Sequence, residues 1–506
     1  MLKLPTINRN MTHALIFGGT CKIDGKGNSQ LIRLAGSHRI ATWLRNQDWD
    51  IEVLDYFFAW SLEELQEYCR SRITADTVFI GYSATFASTD SRLTEFIIWF
   101  RSSYPHIKVL VGGQDVILTK IDADYYLDGY SEYALDAVIK HILHKEKLLY
   151  TLWNNGKLIK ANLNYPAYPM PSLSIRYEDR DFIDPYETLP VELSRGCKFK
   201  CTFCNYPILG VKGDYSRDAD DFKEELATLY NKYGVSKFNL ADETINDRTE
   251  KLEKFANVVQ QLDFKPWLNG FIRFDLLVSR PKDWDIVIGM NLFGHHYGIE
   301  TLNHESGKAV GKGMHPDKIK EGLVNVRKYF KEKGPYRGLI TLIAGLPHET
   351  KESLSSTLDW MTNNWAGEGL RAFPLGIPRN NGILTTSTLS TNYKTEGYEE
   401  MSPEELKTYG IDITQSGQLN YAIQDKILFW KNKNMNFLEA EKITSKFHKN
   451  NSNLFMVGGW NIGEYAQVRR KPIEDLVNIQ DNDHMNETDR FPIIRNYIDK
   501  KLGVSK

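Results

Sequence analysis

The sequence has few cysteines, no long apolar run and almost no net charge. Its 506 residues include five cysteines, too few for a disulfide framework in a chain of this size. No run of about eighteen apolar residues occurs, and the N-terminal stretch lacks the apolar segment of a signal peptide. The formal net charge of -2 does not indicate a nucleic-acid or anionic-membrane surface. We therefore expect a cytoplasmic protein with no membrane or nucleic-acid partner, in which thiols stay reduced.

The length predicts about three domains, or two if one is a barrel. Residues 1–145 alternate strand and helix patterns, which is typical of an α/β domain with a Rossmann-like, mostly parallel sheet. Ligands bind such sheets at the loops after the strands, here Gly18-Gly19, Ser83-Ala84 and Gly112-Gly113. These glycines could equally serve only to form tight turns. No G-x-G-x-x-G occurs, so a dinucleotide cofactor is not supported.

Residues 146–185 read as a linker, with a small hairpin at Asn154-Asn155-Gly156 followed by a Pro-rich stretch. Residues 186–375 again alternate strand and helix patterns, with strands predicted over 190–196, 237–243, 267–274, 295–301 and 338–347. This alternation predicts a β/α barrel or partial barrel with its chemistry at the carboxyl ends of the strands. Residues 376–506 are predicted to form a mostly helical C-terminal extension, with one clear helix over 437–449.

Three cysteines lie close together directly after the first predicted barrel strand. Cys197, Cys201 and Cys204 have the spacing C-x3-C-x2-C. Structural zinc takes four ligands, usually as two separated pairs, and His295 or His296 could in principle complete a set. Those two histidines are more simply explained as a strand-end and a surface residue. A cubane iron–sulfur cluster normally takes four cysteines, so three thiolates would leave one iron open to an exogenous ligand.

The cysteine spacing, with Phe203 before the last cysteine and a strand opening a barrel, resembles the radical S-adenosylmethionine (SAM) superfamily over about residues 186–375. The resemblance implies a 4Fe-4S cluster held by Cys197, Cys201 and Cys204, with SAM chelated to the open iron. It also implies reductive cleavage of SAM to a 5'-deoxyadenosyl radical, and a reductant such as flavodoxin or ferredoxin. The chemistry would belong to the cofactors, and the protein would position them.

Two downstream segments resemble SAM-binding strand ends of that superfamily. In "FNLADETIND" (238–247), the resemblance places Asp242 and Glu243 beside the SAM amino group, with Thr244 and Asn246 shaping the loop. The alternative is acidic capping of the following helix. In "FIRFD" (271–275), it makes Arg273 a partner for the SAM carboxylate or a substrate anion.

Two further segments complete the resemblance. In "YGIETLNHESGKAVGKG" (297–313), Glu300 would hydrogen-bond the ribose or the amino group, and Thr301 replaces the serine that relatives usually have. In "IAGLPHETKESL" (343–354), Ile343 and Gly345 would allow close approach of adenine. The pair Glu349-Thr350 is expected to begin a helix rather than take part in chemistry.

The N-terminal domain resembles the cobalamin-binding-type domain found ahead of many radical SAM barrels. "GSHRIATWLRNQDWDIEVLDY", "IGYSA", "VLVGGQD" and "ADYYLDGYSEYALDAVI" carry this resemblance. The Asp-x-His-x-x-Gly motif that supplies a lower histidine ligand is absent, so the lower face would be left to water or to a side chain such as Tyr82. The segment "GGTCKIDGKGNSQ" is long enough to fill the same edge, and both outcomes stay open.

The sequence thus predicts a radical SAM enzyme that would methylate an unactivated carbon if cobalamin binds. Without cobalamin, a rearrangement or oxidation is equally open, and a non-catalytic iron–sulfur or zinc scaffold is the alternative from another class. Outside the triplet only Cys21 and Cys69 remain, which argues against an auxiliary cluster and hence against a methylthiotransferase. The substrate cannot be read from the C-terminal extension.

Overall fold

The computed structural model describes most of the chain, and the structural statements below concern these residues. They are 12–19, 31–84, 91–113, 116, 121–161, 165, 172, 174–204, 216–378, 387–411, 427–451, 459–477 and 487–504. The chain divides into two compact units: Met1–Glu192 with Glu224–Val235 and Met485–Lys506, and Leu193–Lys223 with Ser236–His484. Among the described helices, none has the length and apolar character needed to cross a bilayer.

Seven strands and four helices form the first part of the chain, with a short 3-10 helix at Phe57–Ala59. They are β1 (Ala14–Gly18), α1 (Ala35–Arg45), β2 (Ile51–Leu54), α2 (Leu62–Arg72), β3 (Phe79–Ser83), α3 (Ser91–Ser103), β4 (Lys108–Gly112), β5 (Tyr125–Asp128), α4 (Glu132–His144), β6 (Thr151–Trp153) and β7 (Gly156–Lys160).

The elements that follow are β8 (Thr188–Val191), α5 (Ala219–Tyr233), β9 (Lys237–Leu240), α6 (Thr249–Gln260), β10 (Trp267–Ile272), α7 (Phe274–Ser279), α8 (Asp283–Gly289), β11 (Leu292–Glu300), α9 (His304–Ala309), α10 (Pro316–Lys333), β12 (Arg337–Ala344), α11 (Lys351–Asn364), β13 (Gly369–Pro374), α12 (Thr388–Thr391), β14 (Glu399–Glu400), α13 (Pro403–Thr408), β15 (Trp430–Lys431), α14 (Phe437–Asn450), α15 (Gly459–Arg469), α16 (Ile473–Leu476) and α17 (Glu487–Leu502). A 3-10 helix spans Asp179–Asp181.

The first sheet is the predicted Rossmann-like sheet, with the strand order β2-β1-β3-β4-β5-β7-β6. All its neighbouring strands run parallel except β6 and β7. Gly18 pairs with Ser83, and Ser83 pairs with Gly112. The predicted small-residue ends therefore lie on one edge of the sheet, beside the switch in strand order at β1, where such folds bind ligands.

Local sequence signals explain two features of this sheet. α2 begins at Ser61, whose side chain accepts from the Glu64 N–H at 3.2 Å while the Glu64 carboxylate accepts from the Ser61 N–H at 2.8 Å, the expected capping box. Asn154 and Asn155 have positive φ angles of 44° and 64°, which suits the tight turn of the β6–β7 hairpin.

The boundaries of the compact units differ from the predicted domains. The β6–β7 hairpin falls within the predicted linker, yet β7 pairs with β5 and extends the first sheet. The last helix, α17, also belongs to the first unit, although it lies in the predicted C-terminal extension. β7 joins the sheet, whereas α17 packs against α2, and both contacts join residues that local patterns do not connect.

The second sheet has six parallel strands in the order β13-β12-β11-β10-β9-β8, as a partial barrel requires. Five of these strands were predicted, and the edge strand β13 was not. Helices follow most of the strands and bury one face of the sheet; Tyr297, Ile340 and Leu370 on that face are fully buried. The predicted site residues lie at the carboxyl ends of these strands and on the loops that follow them.

Candidate functional site

The three clustered cysteines lie on one loop directly after β8. Cys197, Cys201 and Cys204 are free thiols, each partly exposed. The loop turns at Gly196, whose φ of 81° favours glycine, and closes with the Cys204 N–H donating to the Cys201 carbonyl at 3.1 Å. Phe203, between the last two cysteines, is also partly exposed.

Backbone hydrogen bonds anchor this loop to two later segments of the same unit. The Thr202 N–H donates to the Val310 carbonyl at 3.3 Å, and the Leu389 N–H donates to the Thr202 carbonyl at 2.8 Å. Gly311 approaches so closely that a Cβ there would lie 3.6 Å from the Cys201 Cα. The loop conformation therefore depends on residues more than a hundred positions away.

Arg273, at the end of β10, clamps the cysteine loop. Its guanidinium stacks 3.8 Å from the Phe199 ring centroid, donates to the Cys201 Sγ at 3.5 Å and forms an ion pair with Asp275 at 2.9 Å. Asn246, fully buried, fixes the Arg273 backbone by accepting from its N–H and donating to its carbonyl. The guanidinium of Arg273, the predicted partner for an anion, thus lies beside the sulfur of Cys201.

Asp242 and Glu243 differ in their surroundings. The Asp242 carboxylate is buried and accepts from the Leu193 N–H at 2.8 Å and the Ser194 hydroxyl at 2.6 Å. Lys251, also buried, donates to the same Ser194 hydroxyl at 2.6 Å and braces the loop. Glu243 is the partly exposed carboxylate of the pair, and its charge acts on Cys197. Of the two predicted contacts to the SAM amino group, Glu243 is therefore the one open to a ligand.

Glu300 ends β11 with a left-handed backbone, at a φ of 68° that is strained for a residue with a side chain. Its carboxylate forms an ion pair with Lys312 at 3.1 Å, and Lys312 also donates to the Gly298 carbonyl at 2.6 Å. The register between β11 and β12 shifts between Gly298 and Glu300. The bulge places the carboxylate at the carboxyl end of the sheet, and its contact with a cofactor stays a prediction.

We predict that Arg273→Ala and Glu300→Ala each weaken SAM binding by about 1–3 kcal/mol, the range for loss of a buried or charge-assisted hydrogen bond. Calorimetric titration of the reconstituted protein with SAM measures the effect. Glu305→Ala is a matched control, because Glu305 is an exposed carboxylate paired with Lys308 on the next helix. Unchanged SAM affinity in both test variants would remove these residues from the site.

The remaining predicted contacts lie at the end of β12. Ile343 is partly exposed. Gly345 has a φ of 88°, and a Cβ there would lie 2.2 Å from the indole of Trp430, which is fully buried. The Tyr398 hydroxyl donates to the Gly345 carbonyl at 2.7 Å. The missing side chain thus makes room for the C-terminal extension, and the adenine contacts of Ile343 and Gly345 stay predictions.

Glu349 was expected only to begin a helix, but its side chain is buried beneath this strand end. The carboxyl group accepts from the Gly345 N–H at 2.6 Å and from the Thr301 hydroxyl at 3.0 Å. Burial outweighs these hydrogen bonds and raises the pKa of Glu349 from 4.5 to about 7. Helix α11 begins at the expected position, where Thr350 caps it by accepting from the Ser353 N–H.

The raised pKa of Glu349 predicts a pH-dependent stability. Between pH 4.5 and about 7, the folded protein keeps a proton at Glu349 that the unfolded chain has released. Its contribution to stability is therefore complete below pH 4.5 and is lost as the pH rises through 7, at no more than about 1.4 kcal/mol per pH unit. Urea unfolding at several pH values should show this slope reduced in Glu349→Gln and unchanged in the exposed control Glu352→Gln. Equal slopes in wild type and Glu349→Gln would contradict the assignment.

The two histidines considered as extra ligands lie on opposite faces of β11. His295 is buried and bonds to the Tyr297 hydroxyl and the Leu292 carbonyl. His296 is not the surface residue we expected, because it is only partly exposed, stacks on Phe271 at 4.3 Å and bonds to the Thr341 hydroxyl at 2.6 Å. Sequence reasoning missed the roles of Lys251 and Trp430, since nothing local to either residue indicates its partner.

The donor set fits an iron–sulfur cluster by its chemistry. Three free thiols on one anchored loop supply the soft ligands that iron–sulfur clusters take. Within the described parts of the chain, no three His, Cys, Asp or Glu side chains are already gathered as a metal site. The fit therefore rests on the type, spacing and accessibility of the thiols.

Comparison with known proteins finds similar sequences for part of the chain. Residues 191–361 match the Radical SAM superfamily model. Among curated proteins, a tRNA-2-methylthio-N(6)-dimethylallyladenosine synthase of Natranaerobius thermophilus is 22% identical over 52% of the chain and 58% of its own length. An uncharacterised methyltransferase of Pyrococcus horikoshii is 23% identical over 38% of the chain and 41% of its own length. The chain thus spans less than two thirds of these relatives.

Two solved structures share the fold over most of the chain. The radical SAM methyltransferase TsrM of Kitasatospora setae, with cobalamin and a 4Fe-4S cluster bound, aligns with a TM-score of 0.65 over 98% of this chain and all of that chain, at 13% identity. The cobalamin-dependent radical SAM enzyme OxsB, with aqua-cobalamin and SAM bound, aligns with a TM-score of 0.53 over 90% of this chain and 66% of its own, at 15% identity. The match over residues 191–361 identifies a Radical SAM domain in that part of the chain, which is consistent with an enzyme and implies a 4Fe-4S cluster and SAM.

Proposed function

We propose that the protein is a cobalamin-dependent radical SAM enzyme that methylates an unactivated carbon. The observation that carries the proposal is the presence in one chain of the three-cysteine loop and a parallel sheet with Gly18, Ser83 and Gly112 on one edge. A chain of this fold in TsrM holds cobalamin and a 4Fe-4S cluster. In this protein, the compartment is proposed to be the cytoplasm and the reductant to be a flavodoxin or ferredoxin.

In this proposal the residues at the carboxyl edge of the barrel strands hold and shield the reacting groups. Cys197, Cys201 and Cys204 would ligate the cluster, while Glu243 and Arg273 would bind the SAM amino and carboxylate groups. When bound, these cofactors supply a 5'-deoxyadenosyl radical and a transferable methyl group. Arg273 would also neutralise negative charge beside Cys201, since its guanidinium already contacts that sulfur.

Two observations on the first sheet support a cobalamin site. The N-terminus of α1 has no side-chain cap, and Ser37 in its first turn is buried with its hydroxyl unpartnered among the described residues. An uncapped helix N-terminus at a strand edge favours anionic groups such as phosphate. His38, in the same turn, bonds to the buried Asp55 at 3.1 Å, so it is held inside the unit. The segment 20–30 lies outside the described residues.

The proposal is tested by anaerobic reconstitution with iron, sulfide and hydroxocobalamin. We expect about one cobalamin per chain by absorbance, and formation of 5'-deoxyadenosine and S-adenosylhomocysteine when a reductant and SAM are added. Gly112→Phe should block cobalamin uptake, because it places a ring on the predicted edge. Lys108→Phe, at the other end of the same strand, is the matched control.

The outcomes separate the candidate functions. Cleavage of SAM without cobalamin uptake would favour a radical rearrangement or oxidation. Neither cleavage nor uptake, with iron or zinc bound, would leave a metal-binding scaffold. A methylthiotransferase is disfavoured because Cys69 is fully buried and unavailable to a second cluster, and Cys21 lies outside the described residues.

A further inference from the structure

The face of the second sheet opposite the packed helices carries a row of partly exposed side chains. Strand register sets this row, because Phe271 pairs with His296, Gly298 with Thr341, and Thr341 with Arg371. Residues paired across parallel strands point to the same side of the sheet. We call this the inner face.

As far as the described residues show, the inner face is covered at one end and open at the other. Near the amino ends of the strands, α15 packs so closely that a Cβ on Gly294 would lie 2.8 Å from the Gly459 Cα. Toward the carboxyl ends, Ile343 is partly exposed and its paired neighbour Phe373 is 48% exposed. An aromatic ring left this exposed beside an aliphatic neighbour offers an apolar surface to a ligand.

Arg371 lies on β13 between the covered end and Phe373, and its side chain is partly buried. Over the residues that the structure describes, it makes neither a hydrogen bond nor an ion pair. Glu464 acts on it electrostatically without a direct ion pair, and burial lowers the pKa of the guanidinium without discharging it. Removing a cation from water without giving it a direct partner costs free energy. A bound anion would therefore stabilise the folded protein at Arg371.

Among the residues that the structure describes, the groups beside Arg371 leave its guanidinium as the positive charge of this patch. Burial, reinforced by Arg371, lowers the pKa of His296 to about 3, so His296 is neutral at physiological pH. Burial and Arg371 also lower the pKa of His448. His448 accepts the Ala372 N–H at 3.2 Å, which closes the free edge of β13. A carboxylate or phosphate would therefore be attracted to Arg371, whose fork of donors suits either group.

We propose that the inner face binds a substrate with an apolar or aromatic body and a single anionic group, with Arg371 holding the anion and Phe373 contacting the body. The assignment rests on the proposed function, since such a ligand would lie at the carboxyl ends of the strands that carry the cofactor loops. Arg371 would thus determine which substrates enter, as a specificity residue rather than a ligand of the cluster.

The test measures binding of small probes to the full-length protein by ligand-observed NMR titration. Phenylacetate and phenyl phosphate carry the anion, and phenylacetamide is the neutral match. We expect the anions to bind and the amide not to bind. Arg371→Gln should weaken anion binding about tenfold or more, and Arg371→Lys should weaken it less. Arg469→Gln, an exposed arginine of α15, is the control and should have no effect.

Each outcome decides for or against the site. If Arg371→Gln weakens the binding of only phenylacetate or only phenyl phosphate, the result supports the site and identifies the anion that it binds. Phe373→Ala should fold, because the ring is exposed, and should weaken both aromatic probes while inorganic phosphate is unaffected. Equal binding of the amide, unchanged binding to Arg371→Gln, or loss of SAM affinity in Arg371→Gln would overturn the proposal. The probes need no cluster or cobalamin, so Arg371-dependent binding in a protein that fails to cleave SAM refutes the proposed function and leaves the site standing.

Discussion

Replacing Cys197, Cys201 and Cys204 together by alanine should abolish the cluster and all SAM cleavage. The three thiols are the clustered free cysteines of the described chain, on a loop anchored at Thr202 and Gly311. Iron–sulfur clusters need thiolate ligands, and removing all three leaves no soft donor on this loop. After anaerobic reconstitution, the visible charge-transfer absorbance, the EPR signal of the reduced cluster and 5'-deoxyadenosine formation should all be absent.

Cys69→Ala provides the matched control for that experiment. Cys69 is fully buried in the first unit, and burial raises the pKa of its thiol well above the ordinary value. Its loss should leave the iron content and SAM cleavage unchanged, with a modest loss of stability from the small cavity. A triple variant that still holds four irons per chain would falsify the ligand assignment.

Arg33→Met should destabilise the first unit by about 3–5 kcal/mol, because it breaks a buried ion-pair network from one side. Arg33 lies within 2.6 Å of both the Asp55 and the Glu187 carboxylates, and all three side chains are buried. Asp55 would retain only His38 at 3.1 Å, and Glu187 would lose the guanidinium that binds both of its oxygens. Urea unfolding followed by circular dichroism measures the loss.

An exposed arginine in the same unit calibrates this effect. Arg101 pairs with Asp122 at 2.9 Å and Asp124 at 3.3 Å, with both carboxylates partly in solvent. Arg101→Met should cost no more than about 1 kcal/mol, since exposed pairs are screened by water. If Arg33→Met and Arg101→Met lower the free energy of unfolding by the same small amount, the Arg33 network does not stabilise the fold as its burial implies.

Local patterns were enough to predict most elements of both sheets. The parallel order of the first sheet followed from alternating strands and helices, and the capping box at Ser61 and the hairpin at Asn154-Asn155 were visible as short motifs. These signals depend on residues within one turn or one hairpin, and a single sequence states them directly. The edge strand β13 and the short helices after β10 were missed because their hydrophobic periods are short and broken by polar residues.

The cysteine triplet was likewise determined by the sequence alone. Its spacing places three thiols on one loop whatever surrounds them, and the strand before it places that loop at the carboxyl end of a sheet. The spacing of thiols is a covalent property of the chain, so no tertiary contact was needed to predict the ligand set. The match of residues 191–361 to the Radical SAM superfamily confirmed that reading of the domain.

The roles of the other site residues depended on the tertiary structure. Asp242 and Glu243 are adjacent in sequence, yet only the Asp242 carboxylate is buried, where it accepts hydrogen bonds from Leu193 and Ser194. Gly345 accommodates Trp430, from 85 residues further along the chain. Arg371 has no local motif, and only the register of β11, β12 and β13 sets it beside Thr341 and His296 on the open inner face. Burial and charge are properties of neighbours in space, and the fold brings those neighbours together from distant parts of the chain.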